Sequence, residues 1–289
     1  MEPFILPPDS HIGSVYLRIA GLDAALSFYQ HLLGFRLFDR TGDTAFLSAS
    51  GDPPAQIVLV SHPNATPKEP HTTGLYHVAI RLPNRQSLGQ LLERLIEQRW
   101  ALYGGADHLV SEALYLADQD GNGIELYVDR PREEWPYVDG WLAMSSESLD
   151  YQGLMEAARD SASWKGIHSG TEIGHIHLQV SDLRQSENFY HHMLGLEVTQ
   201  RSYRGALFLS AGGYHHHVGL NIWNSREAKP SSADHAGLLA FELTIPNAEV
   251  RQTLLARLTQ ADIPLETPTI PEKPGRMAVS DPDSIRILI

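Results

Sequence analysis

The fold of this chain is decided by a stretch of eight residues that occurs twice. Residues 28–35 read Phe-Tyr-Gln-His-Leu-Leu-Gly-Phe, and residues 189–196 read Phe-Tyr-His-His-Met-Leu-Gly-Leu, an offset of 161 positions. Residues 74–79 and 237–242 both begin with Gly-Leu and are offset by 163 positions. Two nearly equal offsets in one chain indicate a tandem duplication. We predict an N-terminal copy at residues 1–130 and a C-terminal copy at residues 171–289, joined by a connector at residues 131–170.

Each copy contains two smaller units with the same predicted order of elements. The first unit has an alternating strand at residues 15–19, a helix at 24–33 and short strands near 44–48 and 56–61. The same order recurs in the second unit, at residues 78–82, 87–98, 113–117 and 123–128. Further units begin near Gly174 and Gly237. The sequence therefore predicts an α+β fold of four βαβββ units in two tandem copies.

Composition excludes several classes of function. The chain has no cysteine, which excludes disulfides, thiolate nucleophiles and cysteine-ligated metal clusters. Its formal net charge of −13 argues against nucleic acid as a partner, since phosphate binding needs clustered Lys and Arg. No apolar run is long enough to cross a bilayer, and residues 1–4 do not resemble a signal peptide. We expect a cytoplasmic protein with neither nucleic-acid nor membrane partners.

Three polar residues distinguish otherwise equivalent units: His77, Glu125 and His175. At constant offset, the corresponding positions of the other units hold Ala240, Arg286 and Ser14, respectively. A single histidine in a strand is more often a packing residue, but two imidazoles and a carboxylate at matched positions form the ligand set of non-haem iron(II) oxygenases. Glu125 lies among apolar neighbours, where a buried carboxylate needs a partner. We predict that these three residues bind a metal ion.

The four-unit layout, with Phe-Tyr-x-x-x-Leu-Gly ending each odd-numbered helix, resembles the vicinal oxygen chelate superfamily. That group includes glyoxalase I, bleomycin-resistance proteins and type I extradiol dioxygenases, and the resemblance covers about residues 10 to 289. It implies that units pair into open, cup-like mixed sheets with metal ligands on facing strands. In extradiol enzymes the ligands commonly come from the C-terminal copy. Because the last unit here lacks them, we expect the site between units two and three.

Residues 108–125 resemble the extradiol dioxygenase signature, departing from it at Gln119, where the signature has proline. Overall the chain most resembles catechol 2,3-dioxygenase-like proteins. The resemblance implies that Tyr115 helps to deprotonate the substrate and that His108 stabilises the bound substrate oxygen. It also implies a proton donor in the run of histidines at residues 215–217. We favour His217, because strand alternation would place residues 217, 219 and 221 on one face; the two histidines before it remain alternatives.

The resemblance implies an extradiol ring-cleaving dioxygenase that uses Fe(II) and O2 on a small aromatic diol, with Mn(II) as an alternative metal. A glyoxalase-like metal-dependent isomerase or lyase is a second interpretation. Such enzymes typically add a fourth ligand, Glu or Gln, from the last strand of the odd unit, where this chain offers Asn221. A third is a non-enzymatic binding protein of the bleomycin-resistance type. Whether the chain forms a homo-oligomer is left open.

Overall fold

The computed structural model of the chain describes residues 4–159, 163–268 and 276–289. The strands of the described residues are β1 His11–Ile19, β2 Arg36–Thr41, β3 Thr44–Ser48, β4 Ile57–Ser61, β5 Gly74–Leu82, β6 Gly104–Asp107, β7 Ser111–Ala117, β8 Gly123–Asp129, β9 Tyr137–Val138, β10 Trp141–Leu142, β11 Glu147–Ser148, β12 Glu172–Gln179, β13 Glu197–Gln200, β14 Ala206–Ser210, β15 Val218–Asn221, β16 Gly237–Thr244, β17 Ala278–Ser280 and β18 Arg286–Leu288. The α-helices are α1 Leu22–Leu26, α2 Arg85–Glu97, α3 Tyr151–Ala158, α4 Leu183–Glu187 and α5 Ala248–Gln260. None of the described helices is long and apolar enough to cross a membrane.

Two open mixed sheets contain almost all of these strands. The larger has the order β11-β6-β7-β8-β5-β12-β15-β14-β13, and the smaller has the order β17-β18-β16-β1-β4-β3-β2. Each is centred on one antiparallel pair of strands, β5 with β12 or β1 with β16, and parallel pairings flank that pair. Units two and three therefore share the larger sheet, while units one and four share the smaller. The predicted α+β fold of paired βαβββ units is confirmed.

The repeated Phe-Tyr motif has a structural role in both copies. Its two aromatic side chains are buried, and the Tyr29 hydroxyl donates a hydrogen bond to Asp118 Oδ2 at 3.0 Å. Tyr190 makes the same bond to Asp281 Oδ2, also at 3.0 Å. Each bond ties the helix of an odd unit to the turn before the last strand of the following unit. The motif thus satisfies buried polar groups that hold neighbouring units together.

The predicted elements are present, with shifted ends. The helix expected at residues 24–33 is α1 followed by a π-helix at Ser27–Leu32. Gly34 ends it with a φ of 84°, a conformation that glycine adopts without strain. Within units one and two, strands β2 and β6 were not predicted. Half of β2 is exposed and none of it is buried, and β6 has the sequence Gly-Gly-Ala-Asp, whose residues are depleted in strands. Pairing with β3 and β7 overrides these weak local preferences.

The connector packs against unit two. Strand β11 pairs with the edge strand β6, and α3 packs on α2 at Gly89. The contact is close enough that a Cβ added at Gly89 would lie 2.2 Å from the Leu154 carbonyl oxygen. Residues 144–146, just before β11, are thereby held over the open face of the larger sheet.

This close approach predicts that Gly89→Ala destabilises the fold. We expect a loss of about 2 kcal/mol in the free energy of unfolding, because α2 and α3 must separate, even though alanine is the better helix former. Gly21→Ala is the matched control, since nothing lies within 4 Å of its added Cβ, and it should change stability by about 0.5 kcal/mol or less. Urea unfolding measures both; equal losses would contradict the packing argument.

Candidate metal centre and active-site cavity

The three predicted metal ligands meet on the open face of the larger sheet. Strand β5 pairs with β12 so that Ala79 lies opposite His175, and β5 also pairs with β8 so that Ala79 lies beside Glu125. His77 Nε2 is 2.8 Å from Glu125 Oε2, and His175 Nε2 is 3.2 Å from the same oxygen. The group spans the boundary between units two and three, where the site was expected.

Burial and charge give these groups the form that binds a cation. The side chains of all three are buried, and the Nε2 atom of His77 makes no hydrogen bond despite its short distance to Glu125. Burial alone would raise the pKa of Glu125, but the imidazoles of His175 and His77 hold that pKa well below its usual range. Burial lowers the pKa of His175 to about 4, so this imidazole is neutral near pH 7. A carboxylate beside the neutral imidazole of His175 and the unbonded Nε2 atom of His77 fits a divalent metal ion.

A second group of three potential ligands among the described residues shares His175 and adds His215 and His216. Both ring nitrogens of His215 are already engaged. Nε2 of His215 lies 2.9 Å from Asp129 Oδ1, and its Nδ1 lies 2.8 Å from Nδ1 of His216. The group also lacks a carboxylate to balance the cation. The set that contains Glu125 is therefore the better candidate for the metal centre.

The position expected for a fourth ligand holds glycine. Units two and three are related by an approximate two-fold axis in the larger sheet. This axis relates the pairing of Ala79 with Glu125, between β5 and β8, to the pairing of His177 with Gly219, between β12 and β15. The residue related to Glu125 is thus Gly219, and not Asn221 as expected from the sequence. A Cβ at Gly219 would lie 3.0 Å from Cγ of His177, so the imidazole occupies that space. Asn221 Oδ1 instead accepts a hydrogen bond from the Trp223 backbone.

A cavity of about 250 Å³ adjoins the candidate metal centre, and both His77 and Glu125 line it. Its walls are largely aromatic and apolar; they include Tyr76, Met144, Tyr203, Phe208 and Trp223. Tyr76 is an extra residue in β5, opposite the register shift between His177 and Leu178 of β12. This bulge aims Tyr76 and its neighbour His77 at the same space, since both rings contact the ring of His177.

His108 and Tyr115 form a hydrogen-bonded pair in the cavity wall. His108 Nδ1 lies 2.6 Å from the Ser145 carbonyl oxygen, which can only accept, so Nδ1 carries the proton. His108 Nε2 therefore accepts the bond from the Tyr115 hydroxyl at 2.6 Å. Burial, and next the charge of Glu125, raise the pKa of Tyr115 well above its usual value, so it is a phenol. Ser145 belongs to the connector, and sequence reasoning did not identify it.

The structure does not bring His217 to this cavity. His217 lines a different cavity with His11 and Arg81, and its Nδ1 accepts a hydrogen bond from the Ala211 backbone at 3.1 Å. His216 is the member of the run that faces the site, with its ring centroid 4.0 Å from that of His175. The predicted alternation does not apply, because β15 begins only at Val218 and the histidines precede it.

The equivalent face of the smaller sheet is filled by apolar side chains. Strands β17 and β18 of the smaller sheet correspond to β7 and β8 of the larger one. The pairing of Ala278 with Leu288 therefore corresponds to that of Tyr115 with Glu125. The counterpart of Glu125 is therefore Leu288, and the assignment of Arg286 at constant offset was wrong by two residues. The buried cluster on this face consists of Tyr16, Val58, Ala240, Ala278 and Leu288. Those side chains leave no ligand set at the positions that correspond to the metal centre.

Comparisons with known proteins agree with this architecture. The family profile described as Glyoxalase/Bleomycin resistance protein/Dioxygenase superfamily matches residues 11–126 and 172–289. A Bacillus subtilis (strain 168) protein named catechol-2,3-dioxygenase is 42% identical over 280 residues, which are 96% of this chain and 95% of that protein. Solved structures that share the fold include the following two. A Bacillus subtilis subsp. subtilis str. 168 protein provisionally assigned as a dioxygenase has a TM-score of 0.66 at 11% identity, covering 99% of this chain and 85% of its own. Glyoxalase I from Zea mays has a TM-score of 0.58 at 15% identity, covering 97% and 92%.

The two candidate ligand groups can be separated by metal analysis. We expect Glu125→Gln to lose most of its bound divalent metal, because the carboxylate supplies the only negative charge in the group. His215→Ala, in contrast, should retain metal at the wild-type ratio. Elemental analysis of the purified variants measures this. Retention by Glu125→Gln together with loss by His215→Ala would assign the metal to the all-histidine group.

Proposed function

The chain belongs to the glyoxalase/bleomycin resistance protein/dioxygenase superfamily, and from this premise we propose that it is an iron(II)-dependent extradiol dioxygenase. It would cleave the ring of a catechol-type diol beside the two hydroxyls, and both atoms of O2 would enter the product. The observation that carries the proposal is the buried group of His77, Glu125 and His175, with glycine at the fourth-ligand position. The 42% identity to a protein named catechol-2,3-dioxygenase supports it.

The ligand set agrees with the chemistry that this reaction needs. Two imidazoles and one carboxylate on one face leave room for both diol oxygens and for dioxygen. Iron(II) held there would supply Lewis acidity and electron transfer between the two bound reactants. Manganese(II) is an alternative, because the same donors accept it. His77, Glu125 and His175 themselves would orient the reactants and keep the centre away from bulk water.

The cavity residues would bind and deprotonate the diol. Aromatic walls around Tyr76, Phe208 and Trp223 suit a flat ring that packs at its faces and edges. The Tyr115 hydroxyl donates its hydrogen bond to His108. The lone pairs of its oxygen can therefore accept a hydrogen bond from a substrate hydroxyl. Proton transfer along these two hydrogen bonds would pass a proton through Tyr115 to His108 Nε2 without leaving a charge on the phenol. In this proposal Tyr115 has the role predicted from the sequence, and His108, predicted to stabilise the substrate oxygen, accepts the proton that Tyr115 passes on.

His216 is the best-placed residue to return a proton to the oxygenated product, the role expected of His217. Its ring packs against His175 and lines the cavity. Burial, and next the neighbouring imidazoles, lower the pKa of His216 well below its usual range, so it would be neutral before the substrate binds. A neutral imidazole can take a proton from one oxygen and donate it to another, which is general acid–base catalysis.

The alternative functions fit the site less well. A glyoxalase-like isomerase of the kind considered from the sequence would need a fourth protein ligand, and Gly219 supplies none. A binding protein without a metal would have no reason to bury a carboxylate against two imidazoles beside an open cavity, since burying unpaired charge is costly. The smaller sheet has the filled, apolar face that such a protein would show.

Oxygen consumption tests the proposal. Protein reconstituted anaerobically with iron(II) should take up O2 when catechol is added, and a yellow ring-cleavage product should form. His175→Ala should abolish the uptake, and His216→Ala should lower kcat by roughly 10²–10⁴-fold, the usual contribution of general acid–base catalysis. His217→Ala is the matched control and should remain close to wild type. The absence of oxygen uptake with each of several catechols would refute the function.

A further inference from the structure

A series of two hydrogen bonds runs from the cavity to a carboxylate beyond it. His216 Nδ1 is 2.8 Å from His215 Nδ1, and His215 Nε2 is 2.9 Å from Asp129 Oδ1. Asp129 is the last residue of β8, four positions after the predicted ligand Glu125. Neither Asp129 nor His215 lines the cavity, so neither can touch the substrate there. We propose that Asp129 is a positioning residue that sets, through His215, the tautomer of His216.

The proton in each of these hydrogen bonds can be assigned by starting from Asp129. Burial would raise the pKa of Asp129, but its bonds to His215 and the charge of Arg81 outweigh burial and lower that pKa, so the carboxylate only accepts. It must therefore accept from Nε2–H of His215. When His215 is neutral, its Nδ1 has a lone pair and accepts in turn. His216 then carries its proton on Nδ1 and leaves the lone pair of Nε2 available to the cavity.

The tautomer decides what His216 can do. With Nε2 unprotonated, the imidazole can take a proton from a substrate hydroxyl and later return it. The opposite tautomer would present an N–H group that can donate a hydrogen bond but cannot act as a base. This consequence rests on the proposed function, whereas the tautomer itself does not.

The surroundings of Asp129 predict which way an amide would orient in its place. Arg81 donates to Oδ2 at 3.2 Å, whereas the Tyr214 hydroxyl lies near both oxygens, at 3.0 Å from Oδ2 and 3.2 Å from Oδ1. In Asp129→Asn the Arg81 guanidinium, which can only donate, would hold the amide oxygen at the Oδ2 position, which turns the NH2 group toward His215 Nε2. His215 Nε2 would then accept the hydrogen bond from the amide, and the proton of His215 would lie on its Nδ1. Because this Nδ1–H must donate to Nδ1 of His216, the proton of His216 would move to Nε2. The single isosteric substitution Asp129→Asn should thus reverse the tautomers of both His215 and His216.

The test is a tautomer measurement by ¹⁵N NMR on the full-length protein with labelled histidine and any paramagnetic iron replaced by zinc(II). At pH 8, above the ordinary histidine pKa of about 6.5, we expect Nδ1–H for His216 in wild type and Nε2–H in Asp129→Asn. Asp107→Asn is the matched control, because Asp107 is equally buried and pairs with Arg130 rather than with a histidine. It should leave the His216 tautomer unchanged.

The outcomes separate this inference from the proposed function. Nε2–H in wild type would overturn the assignment without any variant, and an unchanged tautomer in Asp129→Asn would overturn the role of Asp129, whether or not the protein consumes oxygen. If the tautomer switches while wild type consumes none, the inference stands and the dioxygenase proposal fails. In an active enzyme, Asp129→Asn should lower kcat on the order of 10²-fold with little change in KM. An unchanged kcat after the switch would refute the catalytic consequence.

Discussion

The antiparallel pairing of β5 with β12 is the constraint on which the rest of the structure depends. It joins unit two to unit three across the boundary between the sequence copies, and its register brings His77 and Glu125 to His175. Because side chains alternate along strands, a slip of one residue would turn His175 away from the other two groups. The bulge at Tyr76 keeps that register while aiming two consecutive aromatic rings at the cavity.

The duplication gave the protein two similar sheets that have diverged in opposite directions. In the larger sheet, polar groups occupy the open face, and their burial is compatible with stability because they contact one another and suit a cation. In the smaller sheet, Tyr16, Ala240 and Leu288 occupy equivalent positions and pack together. The larger sheet thus carries the candidate metal centre, and the smaller sheet is packed by apolar side chains. The Tyr29–Asp118 and Tyr190–Asp281 bonds persist in both copies, because they hold units together whatever the face contains.

Periodicity and repeats predicted the fold well, because strand and helix patterns are local and were sampled four times. Comparison of equivalent units also singled out three unmatched polar residues, which the structure brings together as a candidate ligand group. The structure differs from the sequence prediction where the prediction depended on which residues meet in space. His217 was favoured on strand alternation, but the strand begins after it, and His216 faces the site. A constant offset matched Glu125 with Arg286, whereas strand pairing matches it with Leu288. Ser145 and Asp129 form long-range hydrogen bonds to His108 and His215, which no local pattern encodes.

The most direct test of the central claim, that a metal site forms between the two copies, is the position of iron in crystals of the reconstituted protein. Anomalous diffraction at the iron edge should show a peak within about 2.0–2.2 Å of His77 Nε2, His175 Nε2 and an oxygen of Glu125, with no fourth protein ligand. A peak bound instead by His215 and His216, or one on the smaller sheet, would contradict the account.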